Sequence, residues 1–333
     1  MKRRKKILIA PLDWGLGHAA RCIPIIKILQ EKGAEVIIAA DGRAAQLLKE
    51  EFPELKHISL RGYGIRYSKT FGMTLMIALQ IPKIIFAIVR EHFALKRIIG
   101  EYKLDVVISD NRYGLWNKKI NSVFITHQLM VKSPRGLTFL EPLIHQIILF
   151  FVKKYSECWI PDSADEKNLS GDLAHEYPLP RNAKFIGWLS RFSSEKIIAI
   201  PKKYDLLVLL SGTEPQRGVL EKILTEQIQK TNNTTFIVRG VTEDQKQFSR
   251  QNNLTIVSHL NSKELLQAIH ESEIIISRPG YSTLMDLAAT GKKAILIPTP
   301  GQTEQEYLAE KLMRENIFYS ISPVSYTHLR AHE

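Results

Sequence analysis

Residues 278–286, which read RPGYSTLMD, combine a glycine turn with side chains that can hold a phosphorylated ligand. They follow a β-branched run at 274–276 that predicts a buried strand. A turn that opens a helix presents backbone N–H groups and the positive end of the helix dipole, and both favour phosphate. Asp286, one turn into the predicted helix, can accept hydrogen bonds from a ribose diol. The residues predicted to contact such a ligand here are Arg278, Gly280, Tyr281, Ser282 and Thr283, the last two also as helix caps.

A second polar segment follows the next predicted strand, at 294–297. Its loop, 299–306, contains Gln302, Gln305 and Glu306, whose amides and carboxylate suit sugar hydroxyl groups. Phosphate, ribose and sugar contacts together indicate a nucleotide-sugar site. An ordinary strand–helix–strand unit with a capped helix would show the same pattern, so that alternative stays open.

A third loop, 211–218, stands between a predicted strand at 206–210 and a helix that runs to about residue 230. Small residues at a helix start can meet phosphate oxygens through hydroxyl and backbone N–H groups. It is not a Walker loop, because no Gly-Lys-Ser/Thr occurs in it. The residues that we predict to contact the ligand are Ser211, Gly212, Thr213 and Arg217.

The first predicted strand, 6–11, leads into a glycine loop that ends at His18. Gly15 and Gly17 lie in this loop and are predicted to contact the same ligand, and a helix is predicted from about residue 19 to 31. Ligands of open α/β sheets bind at the carboxyl ends of the strands, so His18 is a candidate general base. It can instead cap the helix or contact a phosphate. A dinucleotide cofactor also stays open, since Asp41 closely follows the second strand.

Asp110 follows another predicted strand, 104–109, whose carboxyl end falls on the same sheet edge as His18. A carboxylate beside a histidine fixes the tautomer of the ring, so His18 and Asp110 form a candidate catalytic dyad. The alternative for Asp110 is a helix N-cap. His127, after the strand at 122–125, is interpreted as a loop residue with a structural hydrogen bond.

Strand, small-residue loop and helix alternate along most of the chain, which predicts an α/β protein with two doubly wound, Rossmann-like domains. A length of 333 residues suits two domains. We predict a first domain at 1–160, a linker and entry segment at 161–203, and a second domain at 204–323. Residues 324–333, VSYTHLRAHE, read as the translation of a transposase adapter, so we expect an artefact tail and a missing natural C-terminus.

The formal charge is +12, which allows nucleic acid, anionic lipid or a phosphorylated substrate as partner. No nucleic-acid motif accompanies the charge, so we expect no nucleic-acid partner. The two cysteines, Cys22 and Cys158, show no metal or disulfide spacing, which favours a reducing cytosol. We identify no signal peptide and no segment of the roughly 20 apolar residues that a membrane span needs.

Two segments, 67–97 and 137–154, are apolar with interspersed lysine and arginine. Helices of this composition can lie in a membrane interface. The plainer interpretation is two core helices with solvated basic side chains. An anionic membrane surface is therefore one expected partner.

The motifs 15–18, 211–213, 278–283 with Asp286, and 302–307 together resemble those of family 28-type glycosyltransferases. These include the lipid-II-forming N-acetylglucosaminyltransferase and the diacylglycerol glycosyltransferases. The resemblance covers most of residues 5–320. It implies the GT-B fold, with two Rossmann-like domains that face a cleft and a donor bound mainly by the second. Asp286 and Glu306 differ from the residues that many relatives carry, which leaves the sugar open.

The resemblance implies inverting transfer from a nucleotide-sugar donor, UDP-linked as in UDP-GlcNAc, to a hydroxyl group. It implies donor phosphate contacts at Thr283, a ribose contact at Asp286 and donor-sugar contacts at Gln305 and Glu306. No Asp-x-Asp pair occurs, so we expect neither a metal nor a cofactor. We expect a lipid- or polyprenyl-linked acceptor and a cytoplasmic location, peripheral on the inner membrane face. The alternatives are a UDP-sugar 2-epimerase and a non-catalytic nucleotide-sugar-binding scaffold.

Overall fold

The computed structural model describes residues 3–65, 79–134, 136–193, 195, 200–241 and 246–321. The predicted adapter tail and the first part of the apolar segment, 67–78, lie outside these residues. The described chain forms two compact units that divide after Arg191. Each unit is built around one sheet.

The sheet of the first unit is parallel throughout, with the strand order β3-β2-β1-β4-β5-β6-β7. This order places the first chain reversal between β1 and β4, as in doubly wound folds. The strands are β1 (Lys6–Pro11), β2 (Glu35–Ala40), β3 (Lys56–Ser59), β4 (Val106–Asp110), β5 (Asn121–Ile125), β6 (Glu157–Ile160) and β7 (Ala183–Phe185). The helices are α1 (Leu16–Glu31), α2 (Gly42–Glu51), α3 (Ile81–Tyr102), α4 (Glu141–Val152) and α5 (Asp172–His175), with a 3-10 turn at Thr138–Leu140.

Helices cover both faces of this sheet, and the alternation of side chains along β1 shows how. Ile7 and Ile9 pack in one cluster with the α1 side chains Ile23 and Ile26. Leu8, on the opposite face, packs with Leu95 of α3. Successive residues of a strand point to opposite faces, so β1 is apolar from Ile7 to Pro11 because both faces are buried there.

The sheet of the second unit has the strand order β10-β11-β9-β8-β12-β13-β14. It is parallel except for β10, which pairs antiparallel with β11 and which the sequence does not predict. The strands are β8 (Tyr204–Leu209), β9 (Thr235–Val238), β10 (Phe248–Gln251), β11 (Leu254–Val257), β12 (Ser272–Ser277), β13 (Ala294–Leu296) and β14 (Tyr319–Ser320). The helices are α6 (Gln216–Ile228), α7 (Ser262–His270), α8 (Tyr281–Ala289) and α9 (Thr303–Arg314).

The predicted fold class, α/β with two Rossmann-like halves, is confirmed. The segment predicted as a linker, 161–203, carries α5 and β7, and β7 pairs with β6 in the first sheet. The first unit therefore continues to Arg191 rather than ending at residue 160. The high Pro, Ser and Asn content of this segment reflects loops around a short edge strand.

Three helix boundaries differ from the sequence prediction, and each moves predicted site residues into a helix. Helix α1 begins at Leu16, so His18 lies in its first turn rather than before it. Helix α8 begins after Gly280, and Ser282 and Thr283 are first-turn residues rather than caps. Helix α9 begins at Thr303, which places Gln305 and Glu306 in the helix rather than in a loop.

Candidate functional site

His18 and Asp110 lie at the chain reversal of the first sheet, where β1 and β4 run side by side. Pro11, the last residue of β1, is in register with Asp110, the last residue of β4. Gly15, at the start of α1, has a φ of +100°, a conformation that a glycine adopts without strain. The short loop between β1 and α1 therefore returns His18 to the end of β4.

The His18 ring contacts the Asp110 carboxylate directly. Nδ1 of His18 lies 2.6 Å from Oδ1 of Asp110, a carboxylate that is fully buried. Because a carboxylate only accepts hydrogen bonds, Nδ1 must carry the proton that it donates. Nε2 is then the basic nitrogen of the neutral ring. The alternative of Asp110 as a helix cap is wrong, because the described residues after it, 111–120, contain no helix.

Arg21 completes this cluster, and the sequence analysis missed it. It lies three residues after His18, on the same face of α1. Its Nε and Nη2 both donate to Asp110, the second at 2.5 Å, and its Nη1 lies 2.9 Å from Nδ1 of His127. His127 is therefore also a member of the cluster, and its interpretation as a loop residue with a structural hydrogen bond is confirmed. The available signal for Arg21 was its charge on a helix face that is otherwise buried.

The charges around Asp110 determine its ionisation. Burial by itself raises the pKa of Asp110, but the positive charge of Arg21, the neighbouring His18 and their hydrogen bonds outweigh burial and lower that pKa below its usual value. Asp110 is therefore an ionised acceptor at neutral pH. An ionised, fully buried carboxylate with two partners keeps one orientation, which orients the His18 ring as well.

The predicted ligand loops of the second unit meet at the chain reversal of its own sheet. Leu209 at the end of β8 is in register with Ser277 at the end of β12. The segments that follow these strands, 211–218 and 278–283, are therefore neighbours. Nη2 of Arg278 bonds to the backbone oxygen of Gln216 at 3.2 Å and joins the two segments.

The two predicted arginine contacts differ in their surroundings. Arg278 is buried, and its Nη1 bonds to the backbone oxygens of Ile297 and Pro298 at 3.0 and 2.7 Å. Arg217 is buried too, but it pairs with two carboxylates, Glu214 and Glu221. The positive charge of Arg217 is thus compensated within the unit, and Arg278 donates hydrogen bonds to three backbone oxygens, those of Gln216, Ile297 and Pro298.

Helix α8 begins directly after the glycine turn at which the sequence predicts a phosphate contact. Gly280 is the N-cap residue, and Tyr281 at the first helical position is buried. The first-turn N–H groups and the helix dipole favour a negative charge at this end. Asp286 is only 4% exposed, so the structure places the predicted ribose contact largely within the fold.

Small polar residues line the loop between β8 and α6. Gly212 has a φ of +99°, and Ser211 and Thr213 beside it are half-buried. The backbone oxygen of Thr213 accepts a hydrogen bond from the backbone nitrogen of Arg217 at 3.2 Å, which forms the first turn toward α6. The loop keeps the small-residue character that phosphate contacts require.

The side chains predicted to contact the sugar also form hydrogen bonds within the loop between β13 and α9. Oε1 of Gln305 accepts a hydrogen bond from the backbone nitrogen of Thr299 at 2.8 Å, and Oε1 of Glu306 accepts one from that of Gly301 at 2.8 Å. Gln302, at the N-cap of α9, is half-buried.

Within the described residues, no group of three or more His, Cys, Asp or Glu side chains has an arrangement suited to a metal ion.

Comparison with known proteins identifies the second unit. Residues 206–322 match the glycosyltransferase family 28 C-terminal domain. This chain is a glycosyltransferase whose second unit matches the family 28 C-terminal domain. The matched region contains both loops at the β8–β12 reversal and the helices α8 and α9.

Relatives of the glycosyltransferase span nearly all of its length. It is 25% identical to an uncharacterized glycosyltransferase of Methanosarcina mazei, over 96% of this chain and 87% of the relative. It is 24% identical to the UDP-N-acetylglucosamine–N-acetylmuramyl-(pentapeptide) pyrophosphoryl-undecaprenol N-acetylglucosamine transferase of Histophilus somni, over 95% of this chain and 84% of the relative.

Solved structures support the GT-B fold of the glycosyltransferase. MurG of Acinetobacter baumannii superposes with a TM-score of 0.55 at 15% identity, over 97% of this chain and 87% of that structure. The kitacinnamycin glycotransferase superposes with a TM-score of 0.60 at 13% identity, over the same shares of the two chains. At these identities the likeness concerns the fold.

The first unit of the glycosyltransferase carries an exposed surface that is both apolar and basic. Phe86 and Phe93 of α3 are 68% and 63% exposed, and Phe150 of α4 is 59% exposed. Each helix packs one face in the core, through Leu95 of α3 and Ile148 of α4, as the plainer interpretation expects, but the other face exposes these aromatic side chains. We define the apolar–basic surface as Ile85, Phe86, Val89, Phe93, Leu143, Ile147 and Phe150 with the basic residues Lys83, Arg90, Lys96, Lys153 and Lys154.

Trp116 connects the two helices of this surface. Its ring centroid lies 4.4 Å from that of His92 on α3, and Lys154 Nζ, just after α4, lies 5.1 Å from it. The same Nζ lies 4.2 Å from the Phe150 ring centroid.

No described helix is both long enough and apolar enough to cross a membrane.

Proposed function

We propose that the family 28-like glycosyltransferase moves a sugar from a UDP-linked donor, such as UDP-GlcNAc, to a hydroxyl acceptor with inversion at the anomeric carbon. The observation that carries the proposal is the 2.6 Å contact between His18 Nδ1 and Asp110 Oδ1. The choice of a UDP-linked N-acetylglucosamine donor is supported by the name of the Histophilus somni relative.

In this mechanism Nε2 of His18 accepts the proton of the acceptor hydroxyl group. The oxygen attacks the anomeric carbon from the side opposite the nucleoside diphosphate, the new glycosidic bond forms, and the bond to the diphosphate breaks. Asp110 orients the ring and stabilises the positive charge that His18 acquires. A general base of this kind typically contributes roughly 100- to 10,000-fold in rate.

The second unit supplies the groups that stabilise the departing diphosphate. Negative charge develops on it as the bond breaks, and the first-turn N–H groups of α8 are oriented to receive that charge. We assign the supporting positive charge to Arg278, because its guanidinium group joins the two loops at the β8–β12 reversal. The nucleotide sugar is a substrate in this scheme, and no cofactor takes part.

The test is His18→Ala, assayed with UDP-GlcNAc against a panel of hydroxyl and polyprenyl-linked acceptors. We expect the rate of transfer to fall by roughly 100- to 10,000-fold, the usual contribution of a general base. Calorimetry should show unchanged UDP binding. His57→Ala is the matched control, because His57 is also half-buried but bonds to the backbone oxygen of Phe52. The coupling constant of the anomeric proton in the product reports inversion directly.

Unchanged transfer by His18→Ala would remove His18 from the mechanism. A C2-epimerised nucleotide sugar without any acceptor would replace transfer with the epimerase alternative. Selective UDP binding without turnover on any acceptor would favour the scaffold alternative. Each result comes from the same preparations, so the three outcomes can be separated.

We further propose that the enzyme lies on the inner face of the cytoplasmic membrane and uses a lipid- or polyprenyl-linked acceptor. The apolar–basic surface supports this assignment, because exposed aromatic and aliphatic side chains enter a membrane interface while lysine and arginine meet anionic headgroups. Each basic residue near such a surface contributes roughly 1 kcal/mol of attraction.

Sedimentation with phosphatidylglycerol-containing vesicles tests the membrane assignment. We expect Phe86→Ser with Phe93→Ser to reduce binding, and added salt to weaken it. Phe248→Ser is the control, because Phe248 is 66% exposed but belongs to the second unit. Equal binding by the double variant and the control would contradict the assignment.

A further inference from the structure

Arg21 is a charged side chain in an interior position. Only 1% of it is exposed, and it lies among the buried residues of α1. A buried charge is costly unless a partner compensates it and its hydrogen-bonding groups are satisfied. The partner is Asp110, which is fully buried as well. The pair carries no net charge. Its effect on the neighbouring side chains therefore comes through the directions of its hydrogen bonds.

The guanidinium group determines where the proton of the His127 ring lies. All nitrogens of a guanidinium donate and none accepts. Nη1 of Arg21 lies 2.9 Å from Nδ1 of His127, so that Nδ1 must be the acceptor. The neutral His127 ring then carries its proton on Nε2.

The opposite tautomer follows for His18. Oδ1 of Asp110 receives both Nη2 of Arg21, at 2.5 Å, and Nδ1 of His18, at 2.6 Å. Arg21 Nη2 also lies 3.0 Å from His18 Nδ1. Both nitrogens are donors directed at the same carboxylate oxygen, so this third distance is not a hydrogen bond between them. His18 therefore carries its proton on Nδ1, whereas His127 carries it on Nε2.

We propose that Arg21 is a positioning residue that sets opposite ring tautomers in His18 and His127, the first through Asp110 and the second by direct contact. The inference rests on the proposed function for the role of His18 as base. Without the Arg21 fork, the Asp110 carboxylate can rotate and the His127 ring has no donor at Nδ1. His18 then spends part of its time with the wrong nitrogen available to the acceptor hydroxyl.

The direct test is the histidine side-chain nitrogen NMR spectrum of the full-length protein. Signals are assigned with His18→Gln and His127→Gln, and the spectra of wild type, Arg21→Lys and Arg21→Met are compared. We expect Nδ1–H for His18 and Nε2–H for His127 in the wild type, and a mixture of tautomers for both rings in Arg21→Met. Arg21→Lys should keep the His18 tautomer and lose that of His127. A single ammonium group can pair with Asp110 but cannot also reach Nδ1 of His127, as the planar guanidinium does.

A matched control is Cys22→Ala, the next residue of α1. Cys22 is also fully buried, and its Sγ lies 3.9 Å from Oδ2 of Asp110. We expect this control to keep both tautomers. Tautomers in Arg21→Met that are identical to those of wild type would overturn the proposal.

Arg21→Met leaves the Asp110 carboxylate buried without a counter-charge, and that variant can fail to fold. The double variant Arg21→Met with Asp110→Asn removes both charges at nearly constant shape. We expect it to fold and to lose the Nε2–H preference of His127. A folded double variant that retains this preference would also overturn the proposal.

Kinetics separate this inference from the proposed function. We expect Arg21→Met to lower kcat at least about tenfold, less than loss of the base itself, with the KM for the donor nearly unchanged. Arg21→Lys should recover part of that loss. The NMR result does not depend on turnover, so it tests Arg21 even if no sugar transfer is found. Wild-type kcat in a folded Arg21→Met variant would contradict the positioning role.

Discussion

The side-chain oxygen of Gln305 accepts a hydrogen bond at 2.8 Å from the backbone nitrogen of Thr299, across the turn that leads into α9. Both residues are buried. Gln305 therefore shapes the loop that follows β13 through its oxygen, and its amide nitrogen is the group that can serve a ligand.

Gln305→Ala should leave the Thr299 N–H buried without an acceptor. We expect a loss of about 1–3 kcal/mol in the free energy of unfolding and a higher KM for the donor. Gln305→Glu retains an acceptor oxygen and should keep most of the stability while the KM for the donor still rises. Urea unfolding with donor kinetics checks both. A stable Gln305→Ala would show that the loop does not depend on this bond.

Asp110→Ala should destabilise the first unit, because it leaves Arg21 buried without its carboxylate. The expected loss is about 3–5 kcal/mol, and Asp110→Asn should lose less. The pKa of Asp110 is lowered in the folded protein, so its ionised form contributes stability above the unfolded value of about 3.9. This contribution is lost as the pH falls through the lower folded pKa.

Urea unfolding of wild type and Asp110→Asn between neutral and acidic pH measures this dependence. The stability difference should be constant near neutral pH and shrink in acid. A difference that grows as the pH falls would contradict the lowered pKa of Asp110.

Glu91 and Arg112 form a second buried pair, and it should show the opposite dependence on pH. Nε of Arg112 donates to Glu91 at 2.8 Å, and Nη1 and Nη2 bond to the backbone oxygens of Leu60 and Arg61. Burial raises the pKa of Glu91, against the opposing effect of Arg112. The contribution of Glu91 to the stability of the wild-type protein therefore falls as the pH rises from about 4.3, the unfolded value, through the higher folded pKa.

Arg112→Met should cost about 3–5 kcal/mol, because it leaves the Glu91 carboxylate buried without its counter-charge. Glu91→Gln should cost less, and its deficit should be larger in acid than at neutral pH. Denaturant titrations at several pH values provide the measurement. A Glu91→Gln deficit that increases toward neutral pH would reverse the assigned direction.

Two glycines of the second unit should respond differently to alanine. Gly280 has a negative φ of −72°, and an added Cβ would meet only Thr283 Oγ1, at 3.9 Å. Gly240 has a φ of +66°, and an added Cβ would lie 2.3 Å from the backbone oxygen of Leu210. The fold therefore requires glycine at 240 but not at 280.

We expect Gly280→Ala to change stability by less than about 1 kcal/mol and to weaken UDP binding, since a methyl group would stand where phosphate approaches the N–H groups of α8. Gly240→Ala should lower the melting temperature clearly. Calorimetry and thermal unfolding measure the two effects. Wild-type UDP affinity in Gly280→Ala would remove the phosphate site from the start of α8.

The sequence pattern was sufficient for the fold class because apolar runs and glycine loops alternate with helices in both halves. It also predicted that His18 and Asp110 come together, since both follow strands whose carboxyl ends share one sheet edge. Helix starts were less predictable. Gly17 and Ser282 lower helix propensity locally, yet tertiary packing extends α1 and α8 through them.

The sequence by itself determined the strand endings at which the candidate site residues stand, because periodicity and breakers are local properties. Only the tertiary structure decided which of those residues are partners. Arg21 meets Asp110 across 89 positions and His127 across 106, and Gln305 bonds to Thr299 rather than standing open in a loop. Such pairings depend on side-chain direction and on the exclusion of water, and a charged residue written in a sequence indicates neither.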